Sequence, residues 1–190
     1  MIQRRELLKM IAAATGTAFV GSFALAYTQV PAVTLDHTDF SKENVTYMNE
    51  IGEVILPQTD TPGAKQANVG FTMAVLINDC YSKEQKLSFI TGLQLIRAKA
   101  NTMFGKSFDL LNPRQRQILI EAVDKEANQF NQSAQQANAD DPHPFTLIKQ
   151  LVLFSFFTSE VGATKVLRHV AIPGSYNGDL PYKKGDRAWF

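Results

Sequence analysis

Glu50 and Glu53, in the stretch MNEIGEVILP, are spaced as a pair of carboxylates that could share acid–base work. Side chains three positions apart lie on one helix face, and two acids whose surroundings split their pKa values can divide the roles of proton donor and acceptor. A solvated helix face explains this pair better. Glu160, in FFTSEVGA, follows an apolar run. There the simpler role is capping of a following helix by Thr158 or Ser159, with Glu160 at its positive end. His37, His143 and His169 are scattered, and none has a partner at metal-ligand spacing. The glycine-rich dinucleotide and phosphate loops, the H-E-x-x-H zinc motif and the G-x-S-x-G elbow are all missing. No catalytic residue and no metal ligand is assigned.

Cys80 is the single cysteine. It excludes an internal disulfide, a C-x-x-C-H haem attachment and any iron–sulfur cluster held by several thiolates of this chain. Within AVLINDCY it reads either as a buried, inert thiol or as half of a disulfide to another subunit. Two loops carry more specific chemistry. In TDTPGA, Thr59 and Asp60 can hydrogen-bond nearby backbone while Pro62-Gly63 sets a sharp turn. That loop serves either as a plain helix connector or as a contact with a partner. The final stretch sets Tyr176, Tyr182, Trp189 and Phe190 in a Gly/Pro frame. Aromatics with polar tips on an irregular segment suit a subunit interface. Packing back onto the chain's own helices is the equal alternative.

The elements that must position these groups are helical throughout. Ser41 caps a helix over Lys42–Leu56, with Val45, Met48, Ile51 and Ile55 at three- and four-residue steps, and Pro57 ends it. Val69–Asp79 is a short apolar helix. Ser82 opens a longer one to Phe104, with Leu87, Ile90, Leu93, Ile96 and Ala100 as its inner stripe and Gly105 as its stop. Asn112-Pro113 pairs an N-cap with proline at the first helical position. In the helix that follows, Ile118, Leu119, Ala122, Val123 and Glu126 form the inner edge. Phe145–Phe157 is nearly all apolar and reads as a central buried helix, too short to span a bilayer. Glu160–His169 adds one more helical stretch. The expected fold is all-α: an irregular helical bundle over residues 27–190, with a loop-rich tail from residue 172 to 190.

Ahead of that domain, residues 1–26 have the order of an export signal, basic, then apolar, then small. Arg4-Arg5-Glu6-Leu7-Leu8-Lys9 resembles the twin-arginine export signal, with Gln3 and Leu7 departing mildly from its commonest form. Arg4, Arg5, Leu8 and Lys9 are the targeting residues. Ala24 and Ala26 fit the small-x-small rule for cleavage before Tyr27. An uncleaved anchor over residues 10–33 is the alternative, and in both cases the rest of the chain lies outside the cytoplasm, in the periplasm or held at the inner membrane. Twin-arginine substrates cross folded, because a cofactor or partner is added first. The whole chain has 19 Lys+Arg against 18 Asp+Glu, a balance that leaves no electrostatic footprint for nucleic acid.

Three stretches, Asn49–Val69, His143–Leu167 and Ile172–Trp189, together resemble the gluconate 2-dehydrogenase subunit 3 family, the small subunit of periplasmic flavin dehydrogenases. The I-L-P-x-T-D-T-P-G-A loop and the T-S-E-x-G with P-G-x-Y-x-G pair carry it. The resemblance implies a large FAD-bearing partner of the glucose–methanol–choline type that oxidises a sugar, sugar acid or related alcohol. Often a cytochrome c subunit with haem passes the electrons on. The small subunit itself holds no cofactor, and is taken to help the flavin subunit mature and to escort it through the twin-arginine translocase. It implies no catalytic residue here. The alternatives are a stand-alone exported helical module that binds a ligand or partner, and a small oxidoreductase with an unrecognised site.

Overall fold

The computed structural model describes residues 34–136, 142–172, 174–175 and 177–189. The leader residues Arg4, Arg5, Leu8, Lys9, Ala24 and Ala26, and Tyr176 and Phe190 of the tail, lie outside the described residues. Within the unit Leu35–Phe190 the architecture is all-α, as expected. Its helices are α1 (Lys42–Ile55), α2 (Val69–Asp79), α3 (Lys83–Phe104), α4 (Pro113–Gln136) and α5 (Pro144–Phe157). A 3-10 turn at Phe108–Leu110 precedes α4, and a π-helical turn at Gly162–Val166 follows α5.

Four of the five helix starts carry a local side-chain cap, because the first amides of a helix have no partner inside it. Ser41 accepts from the Asn44 amide, and Ser82 and Gln85 form a reciprocal capping box. Asn112 and Gln115 repeat that box at α4, where Asn112 Oδ1 takes the Gln115 amide at 2.8 Å and Gln115 Oε1 takes the Asn112 amide at 3.1 Å. At α5 the cap is His143, whose Nδ1 accepts from the Phe145 amide at 3.2 Å. Gly105, at φ 64°, closes α3 in the left-handed conformation that glycine adopts without steric cost.

Helix α5 is the centre of the bundle and touches each of the other four. Its Phe145, Ile148, Leu151, Val152 and Phe156 are buried at helical spacing. Helices α1 and α2 cross closely because Gly70 of α2 lies against the backbone of Val45; a Cβ there would collide with the Val45 carbonyl oxygen. Asn49 of α1 pins that crossing, its Oδ1 accepting from the Gly70 amide and its Nδ2 donating to Asn68, both at 2.8 Å.

Four expectations need correction. Leu87 is 65% exposed, and the buried stripe of α3 runs instead through Phe89, Leu93, Ile96 and Ala100, shifting the packed face by two residues at its start. Ile118 and Glu126 face solvent on α4, where Leu119, Ile120, Val123 and Ala127 are buried. The stretch expected over Glu160–His169 is helical only to Val166 and closes as a π turn over Gly162–Val166, with Gly162 packed on the Phe156 carbonyl and its amide held by Ser159 Oγ at 3.0 Å. Of the two readings of Cys80, the buried thiol is overturned, for the residue is exposed at the end of α2.

Candidate functional site

The loop between α1 and α2 is built around one carboxylate. Glu53 Oε1 accepts from the Gln58 amide at 2.8 Å and Oε2 from the Lys65 amide at 2.9 Å, so a single side chain gathers both ends of the TDTPGA segment. The Ala64 amide adds a bond to Leu56 O at 2.9 Å, and Ala64 is buried. Inside the loop Thr59 folds on Thr61, its amide donating to Thr61 O at 3.0 Å. Gly63 does not have a positive φ. It is needed for space: a Cβ there would lie 2.5 and 2.6 Å from the Glu53 oxygens and 2.6 Å from the Gln58 nitrogen. Thr59 and Asp60 remain exposed, and Pro62 is partly buried.

Beside this loop, α1, α4 and the start of α5 enclose a cleft of about 550 Å³. Val54, Ile55, Ile120 and Phe145 give it an apolar floor, and Glu50, Glu53, Arg116, Glu121, Asp124 and Lys149 stand around it. Most of these charges are already engaged. Arg116 Nη1 donates to Glu50 at 2.6 Å, Nε to Leu111 O at 3.1 Å and Nη2 to Asp109 O at 2.9 Å, with its guanidinium 5.1 Å from the Phe108 ring. It therefore fastens α4 to α1 and to the 3-10 turn. Lys65 also pairs with Glu50, and Lys149 donates to Asp124 at 2.7 Å. Burial pushes the Glu50 carboxyl up, but the hydrogen bonds and charges of Lys65 and Arg116 outweigh it and hold the group below the usual carboxylate range. Glu50 is thus an anion locked between two cations rather than a proton-transfer group.

The tail closes on itself. Arg168 and Trp189 form an isolated bridge, the Arg168 amide donating to Ala188 O at 2.8 Å. The Arg168 guanidinium lies 5.4 Å from the Trp189 ring centre and 3.4 Å from Asp186 Oδ1. Asp186 in turn takes the Lys183 amide at 3.0 Å. Tyr182 and Trp189 both stay exposed, at 77% and 54%. Neither residue belongs to the buried core.

The structure therefore does not gather the sequence candidates into one centre. Thr59, Asp60, Pro62 and Gly63 share the Glu53 loop, Tyr182 and Trp189 share the closed tail, and Cys80 stands at the end of α2. Glu53, Arg116 and Arg168, which organise these features, were not singled out for those roles. Glu53 had a readable sign, an acid one turn before a proline-terminated helix; Arg168 had none. His37 Nε2 meets Asp79 at 3.2 Å and His143 is a buried cap. Among the described residues no three His, Cys, Asp or Glu side chains group to hold a metal ion, and no helix is long and apolar enough to cross a membrane.

The described residues thus form an all-α domain whose polar clusters fasten its own helices. The family model for gluconate 2-dehydrogenase subunit 3 matches residues 42–174, and the chain belongs to that family. No curated protein and no solved structure matched in the same comparisons.

Proposed function

We propose that this chain is the non-catalytic small subunit of a dehydrogenase complex whose large subunit carries FAD, of the glucose–methanol–choline type. In this reading the small subunit binds the flavin subunit in the cytoplasm, assists its maturation and carries it through the twin-arginine translocase to the periplasm, where the complex sits at the inner membrane. A cytochrome c subunit with haem would take the electrons. The observation that carries the reading is the family match across residues 42–174, which is to a dehydrogenase subunit. The cleft chemistry agrees with it, since Arg116 and Glu50 are held in mutual and backbone hydrogen bonds.

Replacing Arg4 and Arg5 together by lysine keeps the charge and removes the arginine pair. Both subunits should then remain in the cytoplasm, read as loss of dehydrogenase activity and of flavoprotein from the periplasmic fraction. Normal periplasmic activity in that variant would refute the export role. A ligand-binding module is the second reading, favoured by the 550 Å³ cleft, whose size suits a small molecule. It predicts a chain that purifies from the periplasm without any flavin-bearing partner.

A further inference from the structure

The geometry points to the described residues between Arg168 and Trp189 as a docking loop, held at its base, for a protein surface that combines apolar pockets with acidic groups. The loop is pinned at its base by the Arg168–Trp189 bridge, the guanidinium over the indole and the Arg168–Asp186 ion pair. Between those fixed ends it shows Val170, Ile172, Leu180 and Tyr182 to solvent, Ile172 at 85% exposure. None of the four belongs to the hydrophobic core. Four exposed large apolar side chains within one short segment are more than the singly scattered ones that need no explanation. Pinning the loop before binding lowers the ordering cost of association.

Charge specifies the partner. From Arg168 to Trp189 the sequence holds four cations (Arg168, Lys183, Lys184 and Arg187) against two acids, Asp179 and Asp186, and the Arg168–Asp186 pair leaves three cations against Asp179. The complement is an acidic rim around apolar pockets, with opposite potentials steering encounter and fixing register. An anionic lipid surface would attract the same cations. A protein fits better, because an irregular backbone needs hydrogen-bonding partners that a bilayer interior lacks, and because Asp179 would face the lipid charge. The inference rests on the proposed function only in taking this protein to be the flavin subunit.

The test uses the full chain in its own cells, untagged, captured by an antibody against the helical bundle. A photoreactive residue is placed at position 182 in one strain and at Lys125, an exposed position on α4, in another. The expected result is a crosslink from position 182, mapped to an Asp/Glu-rich surface of a protein showing flavin absorbance. Tyr182→Asp with Lys183→Glu and Lys184→Glu should then cut recovery of that protein by about tenfold or more, with helical content and melting midpoint unchanged. Arg168→Ala, which opens the base, should weaken recovery with the docking side chains intact. Full recovery with all these variants, or a crosslink from position 125 and none from 182, overturns the docking loop and leaves the subunit reading standing. Absence of any flavoprotein with the unaltered chain sinks both. Co-sedimentation with phosphatidylglycerol vesicles that the triple variant abolishes assigns the loop to lipid and overturns it too.

Discussion

Gly63→Ala tests the idea that Glu53 shapes the α1–α2 loop and that Gly63 is there to admit its carboxylate. The added methyl would meet both Glu53 oxygens and the Gln58 nitrogen at 2.5–2.6 Å, where 3.4 Å begins ordinary contact. The carboxylate must retreat by about 0.8 Å, which takes its 2.8 and 2.9 Å bonds to the Gln58 and Lys65 amides beyond hydrogen-bonding range. Bonds to a charged group are worth about 1.5–3 kcal/mol each, and partial exposure of Glu53 places these at or below the low end. Against the loss stands a gain of ~0.4–1 kcal/mol from a less flexible unfolded chain. The net cost is about 2 kcal/mol, a fall of ~4–8 °C in melting midpoint for a domain of this size.

Thermal and urea unfolding followed by circular dichroism measure it. A loss under about 0.5 kcal/mol would refute the crowding argument, since surface substitutions remote from any constraint fall in that range. A second arm separates crowding from a general intolerance of side chains at position 63. In a Glu53→Ala background two of the three obstructing atoms are gone, and the remaining Gln58 amide is no longer held. Gly63→Ala should then cost less than about 1 kcal/mol, so the two substitutions are strongly non-additive. Strict additivity would mean that the backbone, not the carboxylate, demands glycine.

Burial holds the His143 imidazole below its ordinary value, with Glu126 opposing and Lys99 adding to that shift, and its Nδ1 must stay unprotonated to cap α5. The unfolded chain therefore takes up the proton first as pH falls; the stability is complete above about pH 6.5 and drains away toward the lower folded pKa. Urea midpoints from pH 7.5 to 5 should drop for the native chain and drop less for His143→Asn, which keeps a capping acceptor without titrating; identical slopes would refute the assignment. Arg116→Leu removes the bonds to Glu50, Asp109 O and Leu111 O, and should cost about 2–3 kcal/mol by urea unfolding, given that this guanidinium is mostly buried. A loss under 0.5 kcal/mol would show the clamp to be idle. Cys80 should react with a thiol reagent in the native protein at a rate close to that in urea, and Cys80→Ser should leave stability within about 0.5 kcal/mol. Protection in the native state would restore the buried reading.

The helices were legible because their ends are chemically marked. Ser41, Ser82, Asn112-Pro113 and Gly105 all stand where the structure uses them as caps or stops. Inner faces were read less well, and the reason is specific. On α3, Leu87 satisfies the period as well as Phe89 does, but only the neighbouring helices decide which side of the first turn they cover. Phe89 wins because it meets Phe40 edge-on, with ring centres 6.0 Å apart, from a segment about fifty residues earlier. Ile118 on α4 fails for the same kind of reason. The buried reading of Cys80 follows from its apolar neighbours, yet the residue is the C-cap of α2 and is exposed there beside the exposed Asp79.

Glycine shows where reading by residue type stops short. In TDTPGA the Pro-Gly pair pointed to turn geometry, and a glycine is indeed required, but the requirement comes from a carboxylate ten residues earlier. Turn propensity describes only a residue's own backbone; crowding describes what folds against it. Glu50 follows the same logic. Its spacing from Glu53 suggested a pair of acids working together, whereas the fold sends Glu50 toward Arg116 and Lys65 and Glu53 toward backbone amides. The two carboxylates become fasteners of two different joints, one between α1 and α4, the other within the α1–α2 loop. With Glu50 and Glu53 committed in this way, the docking loop we propose lies in the exposed tail rather than in the charged cleft.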